Sequence, residues 1–209
     1  MRPLQIFFVA LMLFIAVAGL LWAATGLRAK ASASEAWQLT DVSGHLPDLR
    51  FDLISDTNKA VTEASCRGFV AVLFFGFTSC PDECPATMTR LTSALRKMGP
   101  AADRVRVLFV TVDPATDTTA TLHAYMNNFD PQHMIGLRGT DNQIRELAQR
   151  YRAAYEPPAD KAAPASVTHS SALYIFDTEG KARLLAGPTD TEATLAHDLH
   201  QLITGAASR

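Results

Sequence analysis

Two apolar runs set the pattern of this chain. "FVAVLFFGF" (Phe69–Phe77) and "VRVLFVTV" (Val105–Val112) are short, nearly continuous and rich in Val and Phe. A strand buried on both faces need not alternate polar and apolar positions, so these runs predict inner strands of a covered sheet. Between them the period changes. "PATMTRLTSALRKMG" (Pro85–Gly99) places Met88, Leu91, Leu95 and Met98 on one stripe and stops at Gly99, predicting an amphipathic helix. Further helices are expected over Asp117–Phe129, capped by Asp117 or Thr118, over Asp141–Tyr155 with an Asp cap, and over Thr191–Ile203. "HMIGLRG" (His133–Gly139) reads as a short strand. "SALYIFDTEGKARLLAG" reads as a hairpin turning at Glu179-Gly180, and "SDTNKAV" (Ser55–Val61) as a hairpin or lead-in. Tyr155–Thr168 is a Pro/Ala loop, expected to move. Strand and helix alternate up to a terminal hairpin and helix. That order defines an α/β fold with a partly parallel central sheet flanked by helices on both faces.

The N-terminus follows a different pattern. Leu4–Ala24 is apolar throughout except for Gln5. At about 1.5 Å per residue such a helix covers the roughly 30 Å hydrocarbon core, whereas the apolar stretch of a cleaved signal is roughly 7–15 residues. A membrane anchor over residues 1–30 is expected, with a small-residue tether at 31–38 and one domain at 39–209. "RAKASAS" (Arg28–Ser34) keeps open a cleavage site. The expected location is a bacterial inner membrane, single-pass, with the soluble domain facing the periplasm. Charge narrows the partners. Lys and Arg number 19 and Asp and Glu 21; without the first thirty residues 16 basic residues face 21 acidic ones. That balance disfavours nucleic acid.

Three cysteines, Cys66, Cys80 and Cys84, are too few for a disulfide scaffold. Cys80 and Cys84 lie in "FFGFTSCPDECPATM" (Phe74–Met88), after a buried strand and before a helix, at the carboxyl edge of the sheet where α/β folds place their sites. Pro85 is tolerated only in a first helical turn, so Cys84 is expected at the helix N-terminus, where the dipole favours a thiolate. Three residues separate the pair. The wider turn still permits a disulfide, structural or redox-active, but also lets two thiolates face one metal. Soft thiolates select Cu(I) or Zn; Cu(I) is suited by one further neutral ligand and Zn wants a fourth. His169, in "VTHSSALYIF" ahead of a strand expected beside the first, is the candidate.

These residues resemble the Sco/SenC family of copper-handling, thioredoxin-fold proteins. The likeness rests on "FFGFTSCPDECPATM", "FVTVDPATDT" (Phe109–Thr118) and "THSSALYIFDTEG" (Thr168–Gly180), and covers about Leu39–Ile203. It implies a thioredoxin-like domain whose metal ligands are Cys80, Cys84 and His169, carrying Cu(I), with Cu(II) left open. It implies a metallochaperone serving the copper centre of cytochrome c oxidase, with the oxidase copper-site subunit, other copper chaperones or thiol reductants as partners. The alternative is a thiol-disulfide oxidoreductase that uses Cys80 and Cys84 as a redox dithiol on the oxidase cysteines. Many members carry Asp before the histidine; this chain has Thr168. Outside the motif, Cys66 reads as a small core residue and Met88 as core. Asp113 and Asp117 read as caps, and His197 and His200 as a solvated face; His45, His123 and His133 carry no pattern.

Overall fold

The computed structural model describes residues 12–13, 15–18, 36–154 and 171–206. The chain divides into two units, Met1–Trp37 and Gln38–Arg209. In the first, the described residues 12–13 and 15–18 are helical. The rest of the expected anchor and residues 31–35 of the tether lie outside the described residues. Among the described residues no helix is long and apolar enough to cross a membrane.

Among the described residues of the second unit, eight strands form one mixed sheet. They are β1 (Thr40–Asp41), β2 (Asp52–Ser55), β3 (Ala60–Thr62), β4 (Val70–Gly76), β5 (Val105–Thr111), β6 (Met134–Arg138), β7 (Leu173–Phe176) and β8 (Ala182–Ala186). Their spatial order is β1-β8-β7-β4-β5-β6-β2-β3. Strands β4, β5 and β6 run parallel, and β7 joins β4 antiparallel. Every residue of β4 is buried, as its unbroken apolar run requires of a central strand.

Among the described residues four α-helices cover the sheet: α1 (Glu83–Met98), α2 (Thr119–Asn127), α3 (Asp141–Arg150) and α4 (Glu192–Ala206). Helix α1 packs along α4, and α2 lies over β6. Gly136 admits α2 closely, since a Cβ there would stand 3.0 Å from Leu122 Cβ. On the other face Ile144, Leu147, Ala148 and Tyr151 of the α3 region join Leu73, Phe75, Leu108 and Val110 in one apolar core. Each of the Leu, Ile, Val and Phe side chains among these, fully buried, contributes about 1.5–3 kcal/mol.

The elements match the pattern with local differences at helix ends. Helix α3 is capped by Thr140, not Asp141: the Thr140 side chain accepts from Gln143 N–H and the Gln143 side chain returns to the Thr140 backbone, completing a capping box. It also stops at Arg150 instead of running to Tyr155. Arg152 takes the left-handed conformation (φ 54°), and Ala153 N–H reaches back to Ala148 O at 2.9 Å, which closes the last turn. Tyr151 is then held across the fold, its hydroxyl accepting from Arg50 N–H (3.0 Å) and donating to Asp48 O (3.1 Å). Helix α2 takes Thr118, not Asp117, as its cap. The terminal hairpin turns at Gly180 (φ 76°), where Asp177 accepts from the N–H groups of Glu179 and Lys181.

Candidate metal and dithiol site

Strand β4 ends at Gly76, and α1 begins at Glu83. The turn between them holds Cys80, and Cys84 follows one residue into the helix. Cys80 N–H donates to Phe77 O (3.2 Å), folding the turn back on the strand end. The nominal cap, Asp82, makes no side-chain capping bond. In its place Cys80 Sγ accepts the Cys84 N–H at 3.4 Å, so a sulfur takes the position that a capping oxygen usually fills.

The two thiols differ in setting. Cys80 is half-buried and Cys84 is fully enclosed; neither is in a disulfide. Burial pushes the Cys84 thiol well above its ordinary value, opposed by a hydrogen bond from the Phe77 backbone and reinforced by Cys80 and Glu83. This reverses the expectation of a thiolate favoured at Cys84 by the helix dipole. Desolvation is the larger effect, and the helix-start N–H bonds to the sulfur of Cys80. Gly76 makes room for this packing: a Cβ there would stand 2.8 Å from Phe109 Cε2 and 3.0 Å from Cys84 Sγ. Gly76→Ala is expected to displace one of these groups and to cost about 1–3 kcal/mol, read as a lower melting temperature.

Asp117 is the residue that sequence reasoning assigned wrongly. It is fully buried and caps nothing. Its Oδ2 accepts from Thr78 N–H (3.0 Å) and Thr111 Oγ (2.5 Å), and its Oδ1 from Thr78 Oγ (2.5 Å). Thr78 lies two residues before Cys80, so this carboxyl ties the cysteine turn to the end of β5. Val112 N–H, donating to Gly76 O at 2.8 Å, continues the parallel pairing to the same edge. No periodicity reports such a contact. The one sequence signal was an Asp at a strand end beside a second capping candidate, Thr118.

The other candidates fall as follows. Cys66 is buried in the core, its thiol pushed up by burial. Met88 is buried in α1. The Asp113 carboxyl oxygen accepts from Thr116 N–H. His133 lies between Asp130 (2.9 Å) and Asp103 (3.3 Å), His123 beside Asp56 and His197 beside Asp198. Asp198 in turn accepts from the N–H groups of Gln38 and Leu39, pinning the start of the domain to α4. His169, Thr168 and the Tyr155–Thr168 loop lie outside the described residues. Among the described residues no three His, Cys, Asp or Glu side chains stand together as a metal set.

The described chain resumes at Ser171, whose hydroxyl donates to Glu83 Oε2 at 2.8 Å. This agrees with the sheet register. The β4–β7 pairing runs Ala71↔Phe176, Val72↔Ile175, Leu73↔Tyr174, and its continuation sets Ser171 opposite Gly76. The segment entering β7 therefore arrives at the cysteine turn.

A thioredoxin-like domain with a dithiol between a central strand and a helix is the class that this geometry defines. The chain belongs to the SCO1/SenC family, whose profile matches residues 38–204. It is 37% identical over 131 residues to the mitochondrial SCO1 homolog 1 of Arabidopsis thaliana, a match covering 62% of this chain and 39% of the relative. The chain spans between 39% and 50% of the length of the first mitochondrial relatives it matches. Among solved structures, copper-bound ScoI of Bradyrhizobium japonicum superposes with a TM-score of 0.68 at 33% identity, covering 75% of this chain and 99% of that one. BsSco, a member of the Sco family of cytochrome c oxidase assembly proteins in which a disulfide switch has been identified, shares the fold at 22% identity and a TM-score of 0.65, covering 80% of this chain and 98% of that one.

Proposed function

We propose that this chain is a membrane-anchored copper metallochaperone. It binds Cu(I) through Cys80, Cys84 and His169 and delivers it during assembly of the copper centre of cytochrome c oxidase. The observation that carries this reading is the arrival of the β7 entry at the cysteine turn. Ser171 is bonded to Glu83. His169 is two residues earlier, and two residues of chain span at most about 7 Å. The donor set fits the cargo. Two sulfurs and one imidazole form the soft, low-coordinate set that suits Cu(I), and a related protein, the Bradyrhizobium ScoI, holds copper.

Transfer follows from the same residues. The pair must be reduced before loading. Cys84 keeps one sulfur inside the apolar pocket, while the more exposed Cys80 is the sulfur that a partner's ligands meet first. The Tyr155–Thr168 segment would let His169 leave as the partner's own soft ligands replace it. The partners are the copper-site subunit of the oxidase and the chaperones or thiol reductants that load and reduce the pair. The N-terminal segment would hold the domain at a bacterial inner membrane, single-pass and facing the periplasm.

A second reading, a thiol-disulfide oxidoreductase acting on the oxidase cysteines, is favoured by the asymmetry of the pair. An accessible sulfur at Cys80 stands beside an enclosed one at Cys84, an arrangement suited to attack by one and resolution by the other. The two readings separate at His169. Anaerobic Cu(I) titration of the reduced protein against a competing chelator should give one copper per chain, and His169→Ala should weaken binding by more than about tenfold. Unchanged stoichiometry and affinity in His169→Ala would leave the oxidoreductase reading standing and remove the chaperone one.

A further inference from the structure

Where β7 enters the sheet, its pairing with β4 stops short of the dithiol edge. The last pair towards that edge is Leu73↔Tyr174, and Ser171 lies three positions further out. There a side-chain bond joins the two segments. The Ser171 hydroxyl donates to Glu83 Oε2 at 2.8 Å, across 88 positions of chain.

Glu83 is well placed to hold this bond. It is the first residue of α1, where the helix dipole stabilises a carboxylate. It stands between the two cysteines, directly before Cys84. A hydroxyl bonded to an ionised acceptor makes a stronger bond than one between neutral groups. Ser171 is half-buried and Glu83 is exposed, so the bond adds little to the core and acts where it is made.

We propose that Glu83 and Ser171 are positioning residues: their bond is a clasp that holds the entry to β7 against the cysteine turn and keeps His169 within reach of Cys80 and Cys84. The inference rests on the copper reading above, in which His169 is the third ligand. Two residues of chain span at most about 7 Å, so fixing Ser171 restricts where the imidazole can go. Freedom removed before the metal arrives is not lost on binding, so the clasp raises affinity without touching copper.

The test is anaerobic Cu(I) titration of the reduced full chain against a competing chelator, with amide hydrogen exchange of the metal-free protein beside it. Ser171→Ala removes the donor and changes no charge, and its affinity should fall about fivefold. Ser171→Thr keeps a hydroxyl and should bind within about twofold of the parent. Ser171→Ala added to Glu83→Ala should cost nothing further, because the acceptor is already gone; this cycle cancels the effect of the Glu83 charge on the metal. Added to His169→Ala it should again cost nothing, which a general loosening of the site would not reproduce. Without metal, Ser171→Ala should speed exchange over residues 172–174 and leave that of β5 unchanged. Parental affinity in Ser171→Ala, an equal loss in Ser171→Thr, a full further loss in either double variant, or unaltered exchange would each overturn the proposal. The two readings are told apart by His169→Ala. If it weakens binding and Ser171→Ala does not, the clasp alone is wrong; if it changes nothing, the copper reading falls and the clasp with it.

Discussion

Cys80→Ser and Cys84→Ser should each lose tight Cu(I) binding, by far more than the tenfold to hundredfold that removal of a ligand's supporting partner costs. A hydroxyl is a hard, neutral donor at neutral pH and cannot replace a thiolate on a soft cation. The two variants should differ in stability. Cys84 is fully enclosed beside Phe109 and Gly76, so Cys84→Ser buries a hydroxyl, at about 1–3 kcal/mol unless it finds an acceptor. Cys80 is half-buried, and Cys80→Ser should melt close to the parent while still losing copper. Chelator competition and thermal melts on the same samples check both statements. Retention of tight Cu(I) binding by either variant would show that the pair is not the copper site.

Asp117→Ala should be the most destabilising single change at the site. It strands three donors at once: Thr78 N–H, Thr78 Oγ–H and Thr111 Oγ–H. Each buried donor left without a partner costs about 1–3 kcal/mol, and partial relaxation makes about 3–5 kcal/mol a reasonable total. For a domain of this size that lowers the melting temperature by roughly 10 °C. The loss should also reach function, because Thr78 anchors the arm of the turn that carries Cys80. Thr111→Val, which removes one donor and leaves the others, should cost about 1 kcal/mol. A change of under about 2 °C in Asp117→Ala would mean that the three bonds contribute little.

Much of the fold was legible because burial writes a period into the chain. Phe69–Phe77 and Val105–Val112 read as inner strands from their nearly continuous apolar runs, and the strands run over Val70–Gly76 and Val105–Thr111. The stripe Met88, Leu91, Leu95, Met98 read as a helix face, and all four are buried in α1. Caps were less legible. Asp and Thr stood side by side at Asp117-Thr118 and Thr140-Asp141, and backbone geometry, which composition does not report, chose the threonine both times. The early end of α3 likewise depends on Arg152 adopting a positive φ that nothing in its type requires.

By itself the sequence determined the order of elements, the two cysteines at a strand-to-helix turn, and membership of a family whose motifs are local and contiguous. Local patterns survive as sequence because each residue's role depends on its chain neighbours. Tertiary structure decided what the neighbours across space do. It buried Cys84 so that desolvation overrides the helix dipole, and gave the helix-start N–H to Cys80. It turned Asp117 from a cap into the anchor of Thr78 and brought Ser171 to Glu83. Those effects join residues tens of positions apart, and solvent exclusion and hydrogen-bond partnership at such separations exist only once the chain has folded.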